Sequence, residues 1–123
     1  MKKTILMMLS VLALTAVLQI QVAKAQESVE KWPGVFIKVL TENEFVKVFE
    51  VTWAPGAVAD WHDHPNHTLY AVTDIMISEE LKGKEPTTVE LKAGQAAFAN
   101  ACTHKTTSLS KNTMKIIVTE IKK

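Results

Sequence analysis

Four histidines carry most of the chemistry this sequence offers: His62, His64 and His67 fall within six positions, and His104 stands apart. On an extended strand residues i and i+2 point to one face, so His62 and His64 present two imidazoles to the same side. Two ring nitrogens aimed at one point can share a metal ion. His104, ten residues after Gly94 on another short extended segment, supplies a third imidazole if the fold brings the segments together. Three such ligands leave coordination positions open to water or a ligand. His67 has the opposite parity to His64 unless Pro65 introduces a bulge, which makes it a candidate ligand or a support behind the ligands. Tyr70 shares the parity of His62 and His64 and could line a cavity, whereas Asp60 and Asp63 point away. Cys102 precedes His104 by two residues and faces the same way if that segment is extended. It is either a small buried apolar residue or a thiolate fourth ligand, and the latter would favour Zn or Cu over Fe or Mn.

The elements that must position these residues are short and extended. From Gln26 onward, runs rich in Val, Ile, Thr and aromatics cover Val35 to Leu40, Phe45 to Trp53, Thr68 to Ile77, Thr87 to Lys92, Gln95 to Ala99, Thr106 to Leu109 and Thr113 to Ile121. Turn-forming residues separate them, among them Pro55-Gly56, Pro65-Asn66, Ala93-Gly94 and Ser110-Lys111-Asn112. Val89 and Leu91 alternate with Thr88, Glu90 and Lys92, as a half-exposed strand does. Val46 to Trp53 lacks that alternation and suggests a strand covered on both faces. Seven or eight strands in such a length predict an all-β barrel or sandwich.

The chain opens differently. Met1-Lys2-Lys3 precedes an apolar run from Ile5 to Ile20, followed by Ala23-Lys24-Ala25, the small-x-small pattern of a secretory signal peptide. A membrane anchor needs roughly 20 unbroken apolar residues, and Ser10, Thr15 and Gln19 interrupt this run. The expected organisation is a signal peptide at 1–25 and one domain at 26–123, exported to the periplasm or secreted. Cleavage after Ala25 removes three lysines, leaving 11 Lys against 13 acids and a net charge of −2. With no Arg anywhere, neither nucleic acid nor a membrane surface is an expected partner. A single Cys excludes an intrachain disulfide and a cysteine-rich zinc module. The segment Lys31 to Phe36 could pair on a neighbour's sheet edge, which makes a homodimer the expected assembly.

Gly56-x5-His62-x-His64 and Gly94-x5-Asn100-x-Cys102-x-His104 resemble the two cupin motifs, and the resemblance extends from Val35 to Ile121. His-Pro-x-His-x-Leu-Tyr at 64–70, Glu90 to Gly94 and the closing Ile117 to Lys122 are similar to small single-domain cupins often labelled β-alanine degradation protein BauB-like. The resemblance implies a jelly-roll barrel with a divalent metal held by His62, His64 and His104. The chain departs from the pattern at Thr68, where cupins usually carry a Glu ligand, and at Asn100, Cys102 and Ser108, where Pro, Gly and Asn are usual. A three-His site without a carboxylate is more positive, and would take an anionic ligand readily.

These readings converge on an exported small cupin with a divalent ion (Zn, Fe, Mn, Ni or Cu) at His62, His64 and His104, with His67 and Cys102 as further candidates. A metal-dependent enzyme acting on a small anionic molecule is the leading expectation, and no catalytic residue besides the ligands stands out. The alternatives are a ligand- or metal-binding cupin without turnover and a barrel kept for assembly alone, since this fold hosts many functions.

Overall fold

A computed structural model describes residues 20–123, so most of the expected signal peptide, 1–19, lies outside the described residues. The chain enters its first strand at Val29. The described residues form ten strands: β1 (Val29–Trp32), β2 (Val35–Glu42), β3 (Val46–Trp53), β4 (Val58–His64), β5 (His67–Ala71), β6 (Ile75–Leu81), β7 (Thr87–Leu91), β8 (Ala96–Ala99), β9 (Cys102–Ser108) and β10 (Met114–Ile121). All pairings are antiparallel. They form a six-stranded sheet, β1-β2-β3-β10-β5-β8, and a four-stranded sheet, β4-β9-β6-β7. The expected all-β architecture is present, but the strands are not hydrogen-bonded into one closed barrel. The two sheets face each other instead.

The core follows from period-two patterning. On β3, Phe49, Val51 and Trp53 point inward, and the register sets them directly opposite Val118, Ile116 and Met114 of β10. Opposed apolar side chains of this kind are the stabilising unit of an antiparallel sheet. The outer residues Val48, Glu50 and Thr52 are half-buried, so β3 alternates after all. Ile75 and Ile77 of β6 close the core from the other sheet.

One expectation is corrected here. Thr68 to Ile77 is not one strand: β5 ends at Ala71 in the six-stranded sheet, and β6 begins at Ile75 in the other. The apolar run reads straight through because both of its halves feed the same core. The segment around Trp32 is a strand of this chain's own sheet, joined to β2 by a tight turn at Pro33-Gly34. Gly34 has φ +76°, and a Cβ there would lie 3.0 Å from Ala57 Cβ and 3.2 Å from Ala54 Cβ. Both the left-handed backbone and the lack of space demand glycine. Gly34→Ala should therefore destabilise the fold by about 1–3 kcal/mol, read as a lower urea midpoint at unchanged slope.

Candidate metal centre

His62 and His64 lie on β4, and His104 faces them from β9, with His62 paired to His104 and His64 to Cys102. A bulge sets the register. Between Ala59↔Thr106 and His62↔His104, β4 spends three steps against two on β9, so both Ala59 and His62 point inward. Asp60 and Asp63 are consequently exposed, as strand parity expects. The ligand atoms of His62, His64 and His104 lie within 4.8 Å of one another, and two of them, His62 Nε2 and His104 Nε2, are 3.0 Å apart.

The other ring nitrogen of each histidine is occupied. His62 Nδ1 meets the Asp60 carbonyl oxygen at 2.5 Å, His64 Nδ1 the Glu120 carboxylate at 2.6 Å, and His104 Nδ1 the Glu79 carboxylate at 2.8 Å. A carbonyl or carboxylate only accepts, so each Nδ1 carries the proton and each Nε2 keeps its lone pair for the shared space. Glu79 is on β6 beside β9, and Glu120 comes from β10 of the facing sheet. The two carboxylates thus clamp the cluster from both layers.

This donor set fits a divalent cation. Two lone pairs 3.0 Å apart repel each other unless a proton or a metal ion lies between them. Ligand nitrogens about 2.1 Å from one ion and roughly at right angles are themselves about 3.0 Å apart. Protonation is the weaker solution at neutral pH. Burial, reinforced by the repulsion a second proton would meet from His104, His64 and Lys31, lowers the His62 pKa to about 4 despite the Asp60 carbonyl. His64 is also lowered, chiefly by burial and against the pull of Glu120. The hydrogen bond from His104 holds Glu79 below the usual carboxylate range, so it is ionised and makes its histidine a stronger donor.

A pH dependence follows for the metal-free protein. Unfolded, His62 takes up a proton below about 6.5, whereas folded it does so only near 4. Between these values the unfolded chain binds more protons, so stability falls as pH drops. The lowered His64 and Glu79 act in the same direction. Urea midpoints should decline from pH 7 to pH 4, and a midpoint that rises over this range contradicts the arrangement.

The remaining sequence candidates are placed as follows. His67 is buried at the start of β5, where the Pro65-Asn66 corner between the sheets resets its parity. Its ring centroid is 4.6 Å from that of His64 and its Nδ1 is 2.8 Å from the Pro65 carbonyl oxygen. It stands outside the convergent group, as does the half-buried Cys102. Burial, with Glu79 and Asp63 nearby, pushes the Cys102 thiol up, away from thiolate character. Tyr70, whose parity suggested the cavity, is exposed on the outer face, because β5 belongs to the other sheet from β4. Glu79 and Glu120 were not legible as site residues, since they stand 25 and 56 positions from the histidines they hold.

The cluster opens into a cavity of about 550 Å³ between the sheets, lined largely by apolar side chains such as Val51, Leu69, Ile77 and Ile116. Trp32 covers one side of the histidine cluster, its ring 5.1 Å from that of His62. Lys31 and Lys47 also line this space.

No protein-family model and no curated protein matches the chain. Solved structures do. A cupin domain from Bordetella pertussis Tohama I is similar at TM-score 0.69 and 26% identity, covering 76% of this chain and 98% of that one. KdgF from Halomonas sp. is similar at TM-score 0.58 and 21% identity, covering 77% of this chain and 86% of that one. Oxalate decarboxylase from Bacillus subtilis is similar at TM-score 0.61 and 16% identity over 77% of this chain, though over only 27% of its own length. The described residues thus have the fold of a small cupin domain.

Proposed function

We propose that this chain is an exported small cupin whose His62, His64 and His104 hold a divalent metal ion, forming a metal-dependent site that acts on a small anionic molecule. The convergence of one ring nitrogen from each of three histidines, every Nδ1 being tied to an acceptor, carries this reading. Fixing Nδ1 removes the choice of tautomer and the freedom of the ring, so the ligands are organised before the ion arrives. Bound there, the ion would supply Lewis acidity toward an oxygen donor. The chain's own part is to orient that donor and exclude water from the apolar cavity beyond it. Lys31 is near enough to His62 to disfavour its protonation, and with Lys47 it supplies positive charge to draw an anion to the same end. The similarity to BauB-like small cupins at 64–70 supports a compact single-domain member of the fold.

Binding without turnover is the second reading. It is favoured by one observation: the two carboxylates beside the cluster, Glu79 and Glu120, are both committed to imidazole Nδ1 atoms rather than free to move a substrate proton. Metal analysis of protein from its native compartment, followed by an activity screen over small carboxylates with and without chelator, tests the proposal. Stoichiometric metal with chelator-sensitive turnover is expected; stoichiometric metal without turnover supports the second reading, and a protein free of metal contradicts both.

Export and pairing are checked together by native mass spectrometry of the extracted protein. A chain beginning at Gln26, in dimers, is the expected species. Gln26 is a physically sensible start, since its N–H donates to the Val39 carbonyl at 2.9 Å and begins the chain's attachment to the sheet. The side of edge strand β1 left unpaired among the described residues offers a second copy its ladder. Full-length monomers contradict both expectations.

A further inference from the structure

His67 is only 2% exposed, yet one of its two ring nitrogens has no hydrogen-bond partner among the described residues. Its Nδ1 is 2.8 Å from the Pro65 carbonyl oxygen, which only accepts, so the proton is on Nδ1 and Nε2 carries a lone pair. That Nε2 is not sealed in. Among the described residues the side-chain atoms that lack both a partner and any access are Trp53 Nε1 and Thr106 Oγ1. The little surface His67 keeps therefore includes Nε2.

The position of the ring shows where that surface opens. His67 begins β5 in the six-stranded sheet and shares the inner face with Leu69 and Ala71. Across the interior its ring centroid is 4.6 Å from that of His64 on β4, and a charge on it would lower the pKa of both His64 and Glu79, the latter on β6. β4 and β6 belong to the four-stranded sheet, so the ring reaches across the space between the sheets and forms part of the cavity wall. Its Nδ1 is held back at the Pro65 corner, and Nε2 is at the other end of the ring.

The other acceptors near the cluster are committed. Glu79 and Glu120 are taken up by imidazole Nδ1 protons, and Asp63 by the Thr103 hydroxyl. His67 Nε2 would oppose a plain carboxylate or keto oxygen, lone pair against lone pair, and it suits an O–H. Three histidine ligands leave coordination positions open, and a 2-hydroxy acid can fill two of them through its carboxylate and hydroxyl oxygens while one hydroxyl hydrogen remains to be donated.

We infer that His67 sets the specificity of this cavity, its Nε2 accepting the hydroxyl hydrogen of a 2-hydroxy acid whose carboxylate is held at His62, His64 and His104. The carboxylate end rests on the metal reading above, whereas the demand for a donor at Nε2 does not.

Mandelate and phenylglyoxylate, two acids of nearly the same shape, test this. Both carry a carboxylate and a neighbouring oxygen, and only mandelate has a hydrogen on that oxygen. In calorimetric titrations of the zinc-loaded protein mandelate should bind more tightly, and the ratio of the two affinities should drop about tenfold in His67→Phe, the effect of one hydrogen bond to a buried acceptor. His67→Gln, whose amide oxygen still accepts, should keep most of the ratio. The parent protein gives a second readout that needs no variant: the His67 Nε2 15N signal should move with mandelate and stay in place with phenylglyoxylate. A mandelate preference that depends on His67 but survives chelation upholds the acceptor and rejects the metal reading. Chelator-sensitive binding of both acids with a ratio unchanged in His67→Phe does the reverse. No binding of either acid, with Nε2 meeting only water, overturns the inference.

Discussion

Replacing His104 by alanine should abolish tight binding of a divalent ion, and so should replacing His62 or His64. Each substitution removes one of only three convergent nitrogens, and two imidazoles on one strand do not make a high-affinity site in competition with water. The expected effect is a loss of at least about a thousandfold in affinity, read by zinc titration against a fluorescent chelator. His104 is the most informative of the three. It is 7% exposed and bridges the sheet through Glu79, so its removal also leaves a half-buried carboxylate without its partner. A circular dichroism spectrum of His104→Ala that matches the parent separates lost ligation from lost fold. His67→Ala should cost much less, about tenfold, because its ring supports His64 from outside the group. Metal affinity unchanged in the His62→Ala, His64→Ala double variant is incompatible with the site.

The second large effect concerns the two carboxylates. Glu79→Gln and Glu120→Gln should each lower metal affinity by about 10 to 100-fold. Glutamine still accepts the Nδ1 hydrogen bond, so the ring keeps its place. What it lacks is the negative charge that raises imidazole basicity and offsets the charge of the ion. The departure at Thr68 thereby acquires a physical complement: the carboxylate missing from the direct ligands is supplied twice over behind them, at His64 and His104. The net positive charge that the sequence alone suggested for this site is correspondingly reduced. The double Gln variant should lose the sum of the two effects in free energy, since the carboxylates act on different histidines. Affinity that does not change in either single variant would show that the Nδ1 contacts only hold the fold.

What the sequence disclosed was what strand periodicity controls. His62 and His64 two apart, Val89 and Leu91 two apart, and the run Gln95 to Ala99, which forms a strand at Ala96–Ala99, are legible because each depends on its own few residues. The arrival of His104 opposite His62 depended on β9 pairing with β4, which the spacing after Gly94 hinted at and the two resembling motifs made concrete. What stayed hidden was whatever depends on which sheet a strand joins. Nothing between Ala71 and Ile75 marks the passage from one sheet to the other, since no Gly or Pro is there, so two strands read as one. Tyr70 was assigned to the wrong side for the same reason. Parity carried across the Pro65-Asn66 corner has no meaning once the chain changes sheets, and this also hid the inward orientation of His67. Glu79 shares the inward parity of Ile75 and Ile77, and Glu120 that of Ile116 and Val118, so period two aims both at the core. Which imidazole each would meet depends on the fold.

The most direct measurement is a long-range 1H–15N NMR spectrum of the histidine rings recorded while zinc is added to the metal-free protein. The expected result is that His62, His64 and His104 carry their proton on Nδ1 throughout, and that their three Nε2 signals move together and stop moving at one equivalent of zinc. Nε2 signals that do not respond to zinc, or ligation through Nδ1 with the contacts to Asp60, Glu120 and Glu79 broken, would contradict it.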